Sequence, residues 1–165
     1  MTTADVTIIA VAGDDPRIRR LVRDLDADLA DRYLDDPDDF GAHIDPAIRF
    51  LLAELDGRPI GCCAVQPFPG GGAELKRMYV TPQARGCGVA RRLLAEAEHT
   101  AAALGHPEIR LETGIHQPEA IALYIRAGYT PIPNYPPYQR DPLSRCYAKP
   151  LSPQEARPAN IPANI

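Results

Sequence analysis

Apolar positions along the first 150 residues follow two rhythms. Short runs bounded by turn-forming residues, at Val6 to Val11, Phe50 to Leu55, Ile60 to Val65, Glu74 to Val80 and Ile109 to Thr113, predict strands. Arg145 to Lys149 predicts at most one more short strand. Between them the spacing becomes helical. Ile18, Leu21, Val22, Leu25, Leu29 and Tyr33 share one face of a helix that opens at Asp14-Asp15-Pro16. Val89, Leu93, Leu94, Ala97, Ala101 and Leu104 share a face of a second helix, with Gly105 as its stop. Pro118 and Gly128 bracket a third.

The connections set the architecture. Asp56-Gly57 is a hairpin signal between the second and third strands, and Gly70-Gly71-Gly72 leads flexibly into the fourth, so strands two to four form a meander. Strand-helix-strand succession after that requires crossovers and partly parallel pairing, which makes the fold α/β. Residues 35–46 read as a loop or broken short helix. Pro131, Pro133, Pro136, Pro137 and Pro142 predict a rigid surface loop. From Leu151 the chain is aperiodic and proline-rich, so residues 1–150 are expected to be a single domain and 151–165 a flexible tail.

Composition narrows the function. A chain of 165 residues suffices for one sizeable core. The start lacks the features of a secretory signal, and no apolar run nears the roughly 20 residues that span a bilayer, so a soluble, cytoplasmic protein is expected. Cys62, Cys63, Cys87 and Cys146 form no C-x-x-C pair and the histidines no ligand spacing, which predicts reduced thiols and no metal. Net charge of −4 argues against a nucleic-acid surface. Eight aspartates lie between Asp24 and Asp39. They read as a solvated face, or more sharply as carboxylates that attract a cationic amine.

The chemistry concentrates between Glu74 and Leu94. Between strand and helix, Gly86 and Gly88 in Arg85-Gly-Cys-Gly-Val-Ala let backbone N–H groups converge where a helix begins, an anion cradle suited to a phosphate. The plainer reading is a tight turn that needs glycine for steric reasons. A nucleoside triphosphate loop is excluded by the missing Gly-Lys-Ser/Thr, and a dinucleotide fingerprint by Arg91.

Arg85-x-x-Gly88-x-Ala90 resembles the acetyl-coenzyme A signature R/Q-x-x-G-x-G/A of the GCN5-related N-acetyltransferase (GNAT) superfamily. Ala120, Leu123, Tyr124 and Gly128-Tyr129 resemble its second pattern, with Gln117 where Asn is commoner. The resemblance covers residues 6–150. It implies a mixed, largely antiparallel sheet of six to seven strands splayed between the fourth and fifth, flanked by about four helices. It also implies that backbone groups of Met78, Tyr79 and Val80 pair with the pantetheine arm and that Arg85, Gly86, Cys87, Gly88, Val89, Ala90 and Arg91 surround the pyrophosphate, with Gln117 a further cofactor contact.

The resemblance implies an acetyl-CoA-dependent N-acetyltransferase without a metal. Such an enzyme acts by direct transfer in a ternary complex on a small-molecule or peptide amine, without nucleic acid or membrane as partner, as a monomer or homodimer. Glu74 takes the place of the family's catalytic glutamate and Tyr124 that of the tyrosine that protonates the departing thiolate. The next bases in line are a water chain and Glu112. Residues 35–46 and 131–142 are expected to surround the acceptor, with His43 a candidate lining residue. A coenzyme A-binding regulatory module without turnover is the alternative.

Overall fold

The computed structural model describes residues 5–34 and 44–153. Seven strands form one sheet: β1 Val6–Val11, β2 Arg49–Leu55, β3 Arg58–Pro67, β4 Ala73–Val80, β5 Glu108–Gly114, β6 Thr130–Ile132 and β7 Ser144–Pro150. Their order is β1-β2-β3-β4-β5-β7-β6, with β4–β5 the parallel pair and the others antiparallel. Three α-helices, α1 Pro16–Arg32, α2 Val89–Ala103 and α3 Pro118–Arg126, and a 3-10 turn at Pro82–Ala84 complete the described residues, one helix fewer than expected. Most of the loop expected at 35–46, including His43, lies outside them.

Local chemistry explains the elements. Asp15 caps α1, accepting from Arg17 N at 2.9 Å, and hydrogen bonds from Arg17 hold its carboxyl down at about 2. Asp56 and Gly57 both have positive φ, 51° and 74°, as a two-residue hairpin turn requires. Pro131 lies within β6, a strand that proline density hid. It is tolerated because β6 is an edge strand, paired only with β7.

Side chains of the sheet divide between two cores. α2 and α3 cover Leu51, Cys63, Val65, Leu75, Val80, Ile109 and Leu111 on one face. Ile18, Leu21 and Leu25 of α1 cover Phe50, Leu52, Cys62, Ala64 and Tyr79 on the other. The neighbouring cysteines thus point to opposite faces, as a period of two demands. Burial pushes the Cys62 thiol up to about 12 and raises the Cys63 thiol well above its ordinary value, so both are inert packing groups. At the far end Leu151 packs on the first core and donates its N–H to Pro107 O at 2.9 Å.

A bulge in β4 and the shortness of the β4–β5 ladder shape the functional region. Cys62 pairs with Tyr79 and Ala64 with Lys76, so Arg77 and Met78 together oppose Cys63. The extra residue reverses the phase of the strand. Met78 and Val80 turn toward the α2 core, whereas Arg77, at φ 57°, reaches Asp26 of α1 at 3.3 Å. On the other edge β4 meets β5 only at Ala73↔Ile109 and Glu74↔Arg110, after which the strands part.

Candidate active site

Where β4 and β5 diverge, a cavity of about 110 Å³ opens. Glu74, Lys76, Arg77 and Met78 from β4, Glu112 and Thr113 from β5, Gln117 and Tyr124 at α3 and Tyr138 from the proline-rich loop line it. The β4 backbone beyond Glu74 has no β5 ladder partner here, so Met78, Tyr79 and Val80 present an open edge to which an extended ligand could add as a strand.

Glu74 is buried, with 6% exposure, and is not the surface glutamate its alternating neighbours would allow. Its Oε1 accepts from Gln66 Nε2 at 3.0 Å and its Oε2 from the Tyr135 hydroxyl at 2.8 Å, with Lys76 Nζ 3.7 Å from Oε1. Lys76 also lies 3.2 Å from the Tyr138 hydroxyl. Glu112 accepts from Ser144 Oγ at 2.9 Å, and burial pushes its carboxyl up to about 7. Tyr124 is buried between α3 and the sheet, its phenol pushed upward by burial. Its ring packs against Tyr129, centroids 5.8 Å apart.

The glycine loop follows β4 and leads into α2. Gly86 and Gly88 adopt φ of 78° and 79°, a conformation that glycine enters freely. Gly88 precedes α2 without a side-chain cap, and no acidic residue stands in the first turn. Asp15 fills that role at α1. The first N–H groups of α2 are therefore left for an anion, and a phosphate suits both their donors and the helix dipole. Val89 is buried and Ala90 half-buried against the core, while Cys87 is half-buried and Arg91 exposed beside the loop. The Arg85 side chain is engaged within the protein. Its Nε donates to Val80 O at 2.9 Å, and its guanidinium lies over Tyr79 and 3.9 Å from Asp28.

Gln117 stands at the start of α3, its Nε2 3.4 Å from the Tyr33 hydroxyl, which also accepts from His116 N at 3.2 Å. A Cβ on Gly114 would overlap that hydroxyl, so glycine is needed for the end of α1 to close over this side of the notch. Arg32 reinforces the junction through His116 O, Asp28 and Glu119. Of the acidic run, Asp26 and Asp28 are committed to Arg77, Arg32 and Arg85, and Asp35, Asp36, Asp38 and Asp39 lie outside the described residues.

The notch thus brings together Glu74, Met78, Gln117 and Tyr124 of the sequence-predicted set, and the loop from Arg85 to Arg91 is not part of its lining. Gln66, Lys76, Tyr135, Tyr138 and Ser144 carried no recognisable motif. Among the described residues no group of three or more His, Cys, Asp or Glu could hold a metal, and no helix is long and apolar enough to cross a membrane.

An open strand edge beside a cavity lined by proton-carrying groups, followed along the chain by an uncapped helix N-terminus, suits an acyl thioester with a phosphate-bearing tail, as an acyltransferase would use. The profile of the acetyltransferase (GNAT) family matches residues 17–129. An IAA acetyltransferase of Azospirillum brasilense is 38% identical over 151 residues, covering 89% of this chain and 99% of that protein. A Klebsiella pneumoniae crystal structure assigned as an acyl-CoA N-acyltransferase superposes with a TM-score of 0.79 at 38% identity, covering 91% of this chain and 100% of that one. An Elizabethkingia anophelis GNAT acetyltransferase with acetyl-CoA bound shares the fold, with a TM-score of 0.65 at 20% identity, over 89% of this chain and 99% of that one. The chain belongs to the GNAT acetyltransferase family. It is an acetyltransferase, and a module without turnover is set aside.

Proposed function

We propose that this protein transfers the acetyl group of acetyl-CoA directly to a primary amine of a small molecule or peptide, within a ternary complex. The observation that carries this reading is the single notch in which Glu74, Glu112 and Tyr124 line one cavity beside Met78. In this reading pantetheine runs along Met78, Tyr79 and Val80 and the pyrophosphate sits on the loop from Arg85 to Arg91, with Gln117 as a contact from α3. The Met78 N–H polarises the thioester carbonyl. Arg85 holds the loop to β4 through Val80 O, and cationic help for the phosphates comes from Arg91.

An alkyl ammonium at pH 7 must lose a proton before it can attack, at a cost of about 4 to 5 kcal/mol. The carboxylate pair of buried Glu74 and half-buried Glu112 supplies the acceptor for that proton, and Glu74 is its member on the pantetheine-binding strand. Tyr124 supplies a proton to the departing thiolate. Its ring is held by the α3 core, so its hydroxyl acts from a fixed position.

The test is a screen of amines with liberated coenzyme A as readout, alongside calorimetric titration with acetyl-CoA. IAA, the compound in the Azospirillum relative's name, is assayed beside the amine panel. An N-acetyltransferase should bind acetyl-CoA tightly and release thiol only when a primary amine is present. Binding without release on any amine contradicts the proposal.

A further inference from the structure

We propose that, within the carboxylate pair, Glu112 takes the proton from the incoming ammonium and Glu74 is a positioning residue. Given the N-acetyltransferase reading, on which this rests, the two carboxylates share a cavity but differ in what their oxygens already do. Both oxygens of Glu74 are engaged, by Gln66 and by Tyr135, with Lys76 close to the first. Glu74 is thus held in place from both sides, by the amide of one strand and the phenol of the proline-rich loop. Among the described residues Glu112 has one engaged oxygen, Oε1, and Oε2 is left for a substrate.

The supply of hydrogens points the same way. Ser144 Oγ lies 2.9 Å from Glu112 Oε1 and 2.9 Å from Asp141 Oδ2. A serine hydroxyl has one hydrogen and can donate to only one of two carboxylates. The other contact is attractive only when that carboxyl brings its own proton. Asp141 also accepts the Leu143 N–H at 2.8 Å through Oδ1. Ser144 can therefore bond the Glu112 anion before proton uptake and turn to Asp141 after it, so the chain has a place for one extra proton on Glu112, which lines the cavity.

The charges around Glu112 agree. Burial penalises its anion most, and Asp141 and Glu74 add repulsion. Against them stand the Ser144 hydrogen bond and Lys76, which favour the anion, and the balance places the carboxyl at about 7. Tyr33, Tyr124, Tyr138 and Cys146, the other titratable groups that interact with it, are themselves pushed up, the Cys146 thiol to about 11, and so are neutral near pH 7. A carboxyl that gains and loses a proton near neutrality is matched to general base work.

In the transfer, one ammonium N–H bond breaks and its proton bonds to Glu112. The freed lone pair attacks the thioester carbon, the C–S bond breaks, and its electrons leave on sulfur. Tyr124 gives its proton to that sulfur and regains one from the nitrogen as the amide forms. The proton on Glu112 then passes to solvent.

Two measurements test the role, pH profiles of kcat/KM on one good amine and an NMR titration of the labelled glutamate carboxyls. The wild type should show an acidic limb near pH 7. Glu112→Gln should lose that limb and fall about 100-fold or more, with acetyl-CoA affinity unchanged. Glu74→Gln removes a like charge and should move the limb to lower pH, and Ser144→Ala removes a bond to the anion and should move it to higher pH. A merely structural role would not produce those opposite shifts. A Glu112→Gln enzyme with the wild-type profile, or a Glu112 carboxyl titrating in the ordinary range, overturns the assignment and leaves the acetyltransferase reading standing. If no amine releases coenzyme A while Glu112 still titrates near 7, the N-acetyltransferase reading fails and the base role falls with it.

Discussion

The Tyr135 hydroxyl donates to Glu74 Oε2 at 2.8 Å, joining residues 61 positions apart and fastening the proline-rich loop to the floor of the notch. Tyr135 is itself buried, edge-on to Phe68 with centroids 5.0 Å apart, and the Arg110 guanidinium lies 4.1 Å from the Phe68 centroid. Tyr135→Phe keeps the ring and leaves a buried carboxylate oxygen short of its donor. Urea unfolding should show a loss of about 1 to 3 kcal/mol. Combined with Glu74→Gln, the two losses should sum to less than their separate values, because both act on one bond.

The phosphate cradle depends on backbone conformation. Gly88→Val places a branched side chain at φ 79° and in the path of the ligand, with a conformational cost of about 1 to 2 kcal/mol. Acetyl-CoA affinity should fall by far more than stability does. Cys87→Ser should bind acetyl-CoA like the wild type. Calorimetry on the folded variants decides this, and unchanged affinity in Gly88→Val removes the loop from the site.

The raised carboxyl of Glu112 has a consequence for folding. A carboxyl near 7 in the folded chain and at its ordinary value of 4.5 when unfolded contributes stability that is full below pH 4.5 and is lost as pH rises through 7. The shift corresponds to at most about 3 kcal/mol. Urea midpoints of the wild type should therefore fall between pH 5 and pH 8 by more than those of Glu112→Gln. Equal falls in the two proteins would mean that Glu112 is charged at no cost.

Gly114→Ala tests the closure of α1 over the notch. The added methyl would overlap the Tyr33 hydroxyl and ring carbon Cζ, so Tyr33→Phe cannot relieve it whereas Tyr33→Ala can. Gly114→Ala should cost about 1 to 3 kcal/mol by overpacking. In the Tyr33→Ala background the same change should cost little, read from urea midpoints.

Much of this architecture is written in local pattern. The strand runs, the Asp56-Gly57 turn, the Asp15-Pro16 helix start and the two glycines before α2 each obey a short-range rule, and each is where the pattern places it. β6 was hidden because its proline reads as a break until the strand is seen to lie on an edge. The helix period put Tyr124 on a core face, and the splay of β4 from β5 is what opens that face to a cavity. Gln66, Tyr135 and Ser144 were illegible for a different reason. Their meaning lies in hydrogen bonds to Glu74 and Glu112 from strands and loops far along the chain, and no spacing encodes such partners. The bulge at Arg77 and Met78 was likewise invisible, since an inserted residue shows only in the register of the neighbouring strand.

Direct transfer is the central claim, and order of addition tests it most directly. The protein is mixed with acetyl-CoA alone, and free thiol and intact protein mass are followed before and after a good amine is added. Direct transfer predicts no thiol release and no acetylated protein until the amine arrives, then release matched one for one by acetylated amine. A burst of coenzyme A without amine, accompanied by protein heavier by one acetyl group, would contradict it.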